Sequence, residues 1–105
     1  MKKYKVDWHV RLYVKQELHD LRKNKKLLAE STNLDTHSSL VFSKRLADIE
    51  AGLAKLDEEE RKIADKIFIE RYSQVKAEFE GIGKRTYYNV MDKAIYYVAR
   101  EINLI

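Results

Sequence analysis

Ser73-Gln74-Val75-Lys76-Ala77-Glu78-Phe79-Glu80-Gly81-Ile82-Gly83-Lys84-Arg85-Thr86-Tyr87-Tyr88-Asn89-Val90-Met91-Asp92-Lys93-Ala94-Ile95 decides the fold. It reads as a short apolar-patterned helix, a glycine turn and a basic helix, in the order of a helix-turn-helix. Such a turn needs a residue that tolerates positive φ, and Gly81 supplies it. Ile82 follows as an apolar plug for the angle between the helices. Wound at about 100° per residue, Tyr87, Val90, Met91, Ala94 and Val98 fall on one side of the second helix. Arg85, Asn89, Lys93 and Tyr96 fall on the other. Lys84, Arg85 and Thr86 occupy the first turn, the part of such a helix that enters the major groove of DNA.

The rest of the chain agrees with a helical fold. It has 105 residues, so one domain is the default, with a DNA-binding module plus helical extension as the variant. Proline is absent and there are only three glycines, Gly52, Gly81 and Gly83, so little interrupts helix. There is no cysteine, hence no disulfide or thiolate metal site, which fits a reducing cytoplasm. Met1-Lys2-Lys3-Tyr4-Lys5 is basic but no apolar run follows it, and no stretch is long and apolar enough to span a membrane.

The net charge is +4, and its distribution says more. Residues 1–30 carry nine Lys/Arg against four Asp/Glu, residues 31–80 eight against eleven, and residues 81–105 four against two. Two basic ends flank an acidic middle. Basic ends suit phosphate, where displaced counterions make binding salt-sensitive. They suit the acidic middle equally well.

Residues 4–30 read as a first helix. Val10, Val14, Leu18, Leu21 and Leu28 form an apolar stripe that Lys25 interrupts, and Tyr4, Trp8 and Leu12 widen it. The polar run Ser31 to Ser39 reads as the best loop, with Ser38 or Ser39 as the next N-cap. Residues 40–56 read as a second helix with a heptad seam of Phe42, Leu46, Ile49, Leu53 and Leu56. Asp57 and Glu60 form a capping-box pattern, so a third helix is expected to begin there and run to about Tyr72. The rival is one long helix, because Ile63 and Ile67 keep the heptad phase; Glu60 on the seam argues for the break. A fourth helix covers about Gln74 to Glu80 and a fifth about Lys84 to Asn103. The stripes of the first two helices can pack on each other or on a second chain, which leaves a homodimer through the N-terminal helices open.

From Leu53 onward the chain resembles the region-4 DNA-binding module of sigma-70-type factors. The resemblance rests on Leu56-Asp57-Glu58-Glu59-Glu60-Arg61, Arg71-Tyr72, Val75 to Phe79, Gly81-Ile82-Gly83 and Thr86-Tyr87-Tyr88 to Lys93-Ala94-Ile95. Over its whole length it is similar to the small phage late-gene transcription regulators of the ArpU/RinA type. They share the charged N-terminal helix, a polar linker and the terminal helix with Thr-Tyr-Tyr, Ala-Ile and Val-Ala. Three features depart from the pattern. The usual small residue of the first motif helix is Lys76 or Ala77, depending on alignment. Gly83 replaces the usual capping Ser. Lys76 and Glu80 make that helix more polar.

No constellation points to an enzyme. His9, His19 and His37 lie far apart and read as surface histidines, with no metal-ligand spacing. Glu58, Glu59 and Glu60 point in different directions on a helix. No phosphate loop or nucleophile elbow is present. Trp8, Tyr13 and the Tyr96-Tyr97 pair read as core or interface side chains, Tyr96 excepted if the last helix is exposed there, and the interleaved Tyr4, Lys5, Trp8 and Arg11 as helix packing ahead of a single-strand-binding surface.

These readings converge on an all-α fold of about five helices. Residues 1–52 form an N-terminal helical hairpin and residues 53–105 a sigma region-4-like helix-turn-helix domain. The expected function is sequence-specific transcription regulation in a bacterial host's cytoplasm, without catalysis, metal or cofactor. Lys84, Arg85, Thr86, Tyr88, Asn89 and Lys93 are the expected contacts to double-stranded DNA: Arg pairs with guanine, Asn with adenine, and Lys, Thr and Tyr hold phosphate. Activation of phage late genes and contact with RNA polymerase are what the resemblance implies. Two readings remain beside this one, a phage small terminase subunit that oligomerises as a ring and a helical adaptor without DNA contact.

Overall fold

The computed structural model describes residues 4–30 and 36–105. Six helices occur among them: α1 (Trp8–His19), α2 (Leu21–Glu30), α3 (Thr36–Leu53), α4 (Glu58–Phe68), α5 (Gln74–Phe79) and α6 (Lys84–Glu101). The described part of the fold is all-α, and none of its helices is long and apolar enough to cross a membrane. The centre is α6, which buries Tyr87, Val90, Met91, Ala94, Ile95, Val98 and Ala99. Helices α1, α3, α4 and α5 all pack against it, and α2 lies on α3 and α1. One core cluster runs from Val14 to Ile102 and crosses the expected boundary at residues 52 and 53, which falls at the end of α3.

The single first helix expected over residues 4–30 is two helices. Asp20 caps α1 and the chain bends there. Leu18 and Leu21, on either side of it, both lie in the core. Beyond it α2 packs on α3, while α1 packs on α6. Lys25, which interrupts the apolar stripe, ties α2 to α3 through an ion pair with Glu50. Trp8 and Leu12 do not widen the buried face: they are 73% and 57% exposed. Leu12 lies roughly 160° around the helix from Val14, which α1 buries together with Leu18, and Trp8 is one turn before Leu12. His19 is half-buried rather than on the surface; its Nδ1 donates to the Phe68 carbonyl at 3.2 Å. The side chain of His37 lies outside the described residues.

The loop expected over Ser31–Ser39 is shorter. Residues 31–35 lie outside the described residues, and α3 already begins at Thr36. Ser38 and Ser39 therefore sit inside the helix and are not its N-cap. Small polar residues are tolerated in a first turn, where backbone N–H groups have no intrahelical partner.

The break between the second and third expected helices is real. Helix α3 stops at Leu53, and the Lys55 and Leu56 amides close a tight turn on the Gly52 and Leu53 carbonyls. Asp57 then caps α4: its carboxylate accepts the Glu60 amide at 2.8 Å, while the Glu60 carboxylate accepts the Asp57 amide at 3.1 Å. Helix α4 ends at Phe68, short of Tyr72. Arg71 takes a left-handed φ of 56°, which reverses the chain toward α5.

The heptad seam is filled within the chain. Leu46, Ile49, Leu53 and Leu56 are all buried in the common core. Gly52 lies beside the seam, where the α3 and α6 backbones touch. A Cβ built on it would sit 2.8 Å from Val98 Cα and 2.9 Å from Val98 N. Outside the core, ion pairs join the helices. Arg11 meets Asp92 at 2.5 Å, and Lys55 meets Glu101 at 2.8 Å. Burial alone would raise the Glu50 carboxyl, but Lys25 and Arg61 outweigh it and hold Glu50 below its ordinary value.

Candidate nucleic-acid interface

Ser73 starts the motif, its Oγ accepting the Lys76 amide at 3.1 Å as the N-cap of α5. Ala77 is the small residue this helix turns inward, fully buried against α6, and Lys76 points out. The Lys76 ammonium lies over the Tyr72 ring, 4.4 Å from its centroid. At the turn Gly81 has φ +88°, a conformation that favours glycine, and no atom lies within 4 Å of a Cβ built there. Glycine is needed here for its backbone and not for space. Ile82 is buried as the plug, and its amide returns to the Ala77 carbonyl at 2.9 Å. The buried Tyr87 hydroxyl donates to the Tyr72 carbonyl at 2.7 Å, fixing α6 against the connection between α4 and α5. Burial, followed by the neighbouring Tyr88, raises the Tyr87 phenol above its ordinary value.

On this frame Lys84, Arg85, Thr86, Tyr88 and Asn89 are all exposed on the first one and a half turns of α6. Lys84 with Tyr88, and Arg85 with Asn89, are pairs four residues apart and share one helix face. Lys84 and Arg85 form no ion pair among the described residues. Gly83, the N-cap, gives no side-chain bond, so the first amides of α6 lack a side-chain acceptor. Thr86 instead lines a groove of about 260 Å³ between α4 and the glycine turn, with Lys62 and Lys66 on its α4 side and Glu59 beside them. Lys62 and Lys66 escaped the sequence reading. Their spacing of four residues, beside the inward Ile63 and Ile67, was the signal that could have found them.

Lys93 stands apart from the other five. Its Nζ meets the Glu60 carboxylate at 2.6 Å, and it lies 5.6 Å from the centroid of the Tyr4 ring. The bond to Glu60 raises the Lys93 ammonium above its ordinary value although burial opposes it. Tyr4 also packs edge-on against Tyr96 and Tyr97, so the N-terminal segment covers this part of the outward face. Glu60 thus serves two groups at once, the α4 cap through one oxygen and Lys93 through the other. Lys93→Ala is expected to cost about 1 kcal/mol in urea unfolding, because the partly shielded Glu60 loses its cation. Its effect on DNA affinity should be smaller than that of Lys84→Ala, measured by fluorescence anisotropy on one duplex.

A second, larger groove of about 470 Å³ lies between α2, α3 and α4. Four of its charges are engaged with one another: Lys25 and Arg61 both hold Glu50, and Arg61 also reaches Asp65. Comparison of the chain with protein-family models, with curated proteins and with solved structures gives no match.

Proposed function

We propose that this chain is a sequence-specific DNA-binding transcription regulator, an activator of phage late genes that works in the cytoplasm of a bacterial host and meets RNA polymerase on the DNA. The observation that carries the DNA-binding part is the start of α6. Five side chains with hydrogen-bonding capacity stand exposed there, two of them cations without a carboxylate partner among the described residues, on a helix held by a glycine turn and a buried plug. In the major groove Arg85 reads guanine and Asn89 reads adenine. Lys84, Thr86 and Tyr88 hold phosphate, and Lys62 and Lys66 extend that backbone contact along α4. Activation, phage origin and late timing rest on the resemblance to the ArpU/RinA-type regulators.

Amide chemical shifts during titration with a duplex test the geometry. The largest changes are expected at Lys84–Asn89, with smaller ones at Lys62 and Lys66 and none at the groove lined by Glu50. Changes centred elsewhere, or none at equimolar duplex, would sink the assignment. The double variant Lys62→Ala/Lys66→Ala is expected to weaken binding to all sequences alike. It should flatten the plot of log affinity against log salt by about 2, one per phosphate contact. An unchanged slope would remove α4 from the interface.

A further inference from the structure

The segment ahead of α1 is pinned at two places. Val6 packs against the core, and the Tyr4 ring lies edge-on to Tyr96 and Tyr97, with 5.3 and 5.7 Å between centroids. The Tyr4 and Tyr97 hydroxyls are 3.4 Å apart. Lys5, between the two pins, is exposed and forms no ion pair among the described residues. Lys2 and Lys3 precede it in the sequence, so residues 1–7 carry three lysines against one carboxylate, Asp7. The carboxylates around this part of α6 are already taken: Asp92 by Arg11, Glu60 by Lys93 and Glu101 by Lys55. None of the three is left to neutralise the segment.

Arg85, Asn89, Lys93 and Tyr96 fall within a sector of about 80° around α6. The first two are open to solvent, whereas Tyr4 lies over Lys93 and Tyr96. Arg11, bonded to Asp92, closes the same stretch from α1. Tyr96 is about 10 Å beyond Asn89 along the helix axis, within the ~12 Å width of the major groove. A groove that takes in Lys84–Asn89 therefore brings one of its bordering phosphate strands to the Tyr4 seat. We infer, resting on the DNA-binding reading, that Lys2, Lys3 and Lys5 form a basic clamp on that phosphate strand and that Tyr4 seats the clamp on α6. Its contacts go to phosphate and carry no sequence choice. The covered stretch of α6 rests on the backbone, so base reading stays with the first one and a half turns.

The test compares wild type with Lys2→Ala/Lys3→Ala/Lys5→Ala, Tyr4→Ala and Tyr4→Phe on preferred and random duplexes. Lys23→Ala/Lys26→Ala, which removes two exposed or solvated lysines of α2, is the control for overall charge. The triple variant should lose roughly tenfold in affinity for both duplexes, keep the preference between them, and flatten the plot of log affinity against log salt by about 3. The control should change that slope by less than about 0.5. Hydroxyl-radical footprinting of the preferred duplex should show one flank protected by wild type and open in the triple variant. Tyr4→Ala keeps all three lysines yet should open the same flank, while Tyr4→Phe, which keeps the ring contacts, should protect it. Circular dichroism gives the Tm of each variant, and the triple variant carries the test if Tyr4→Ala unfolds. An unchanged slope and footprint in the triple variant would overturn the inference and leave the DNA-binding reading standing. Equal loss per lysine in the control, a changed sequence preference in the triple variant, or a protected flank in folded Tyr4→Ala would overturn it as well. If wild type binds no duplex, the DNA-binding reading itself fails and the inference falls with it.

Discussion

Gly52→Ala is expected to lower the free energy of unfolding by about 2–3 kcal/mol, roughly 10–20 °C in Tm for a chain of this length. In an exposed helix the same change stabilises by up to about 1 kcal/mol, because alanine is the better helix former. The sign reverses here because the added methyl has no room. It would lie 2.8 Å from Val98 Cα and 3.0 Å from the Tyr97 carbonyl oxygen, and all three of its nearest atoms are backbone. Side chains can rotate aside, but two helix backbones must separate. Helix α3 would lift from α6, loosening Ile49 and Leu53 against Ile95 and Val98 in the shared core. The loss is large against the 5–15 kcal/mol that holds a domain of this size. Thermal unfolding followed by circular dichroism gives the answer. A Tm equal to or above wild type would mean that α3 and α6 do not make this contact.

Arg85→Ala is expected to leave folding unchanged and to erase most of the discrimination between the preferred sequence and random duplex. Arg85 is exposed and forms no ion pair among the described residues, so its removal leaves no orphaned partner in the fold. One bidentate Arg–guanine contact is worth about 1–3 kcal/mol of discrimination, a factor of roughly 5–150. Lys84→Ala should behave differently, weakening preferred and random sequences together and lowering the salt slope by about 1. Competition titrations with each variant separate the two behaviours. Equal preference in wild type and Arg85→Ala would show that Arg85 does not read bases.

How much of this was legible in the sequence depended on how local the cause was. The α4 start needs only Asp57 and Glu60, three residues apart, and both bonds of the capping box form. The glycine turn needs only a residue free to take φ +88°, and the apolar face of α6 follows from helical winding. Features set by distant partners were not legible. The end of α1 at Asp20 left no trace in the apolar stripe, because Leu18 and Leu21, three residues apart, would share one face of an unbroken helix as well. Polar cap formers at Thr36–Ser39 concealed the start of α3. The heptad seam left open whether α3 faces a second chain; Gly52, beside it, holds the reason that it faces α6. Ala77, rather than Lys76, is the residue α5 buries, and only the packing of α5 on α6 decides between the two alignments. Lys93 shares the outward phase of Arg85 and Asn89 in the sequence, yet Glu60 of α4 and Tyr4 ahead of α1, both distant in sequence, meet it.

If the start of α6 reads DNA sequence, one stretch of duplex must be held in preference to all others. The most direct test is retention of tiled duplex fragments from the gene's own genomic neighbourhood, at near-physiological salt with excess nonspecific competitor. Wild type is expected to retain one fragment, and Arg85→Ala is expected not to distinguish it from the rest. Uniform retention of all fragments by wild type, or retention of none, would contradict sequence reading by α6.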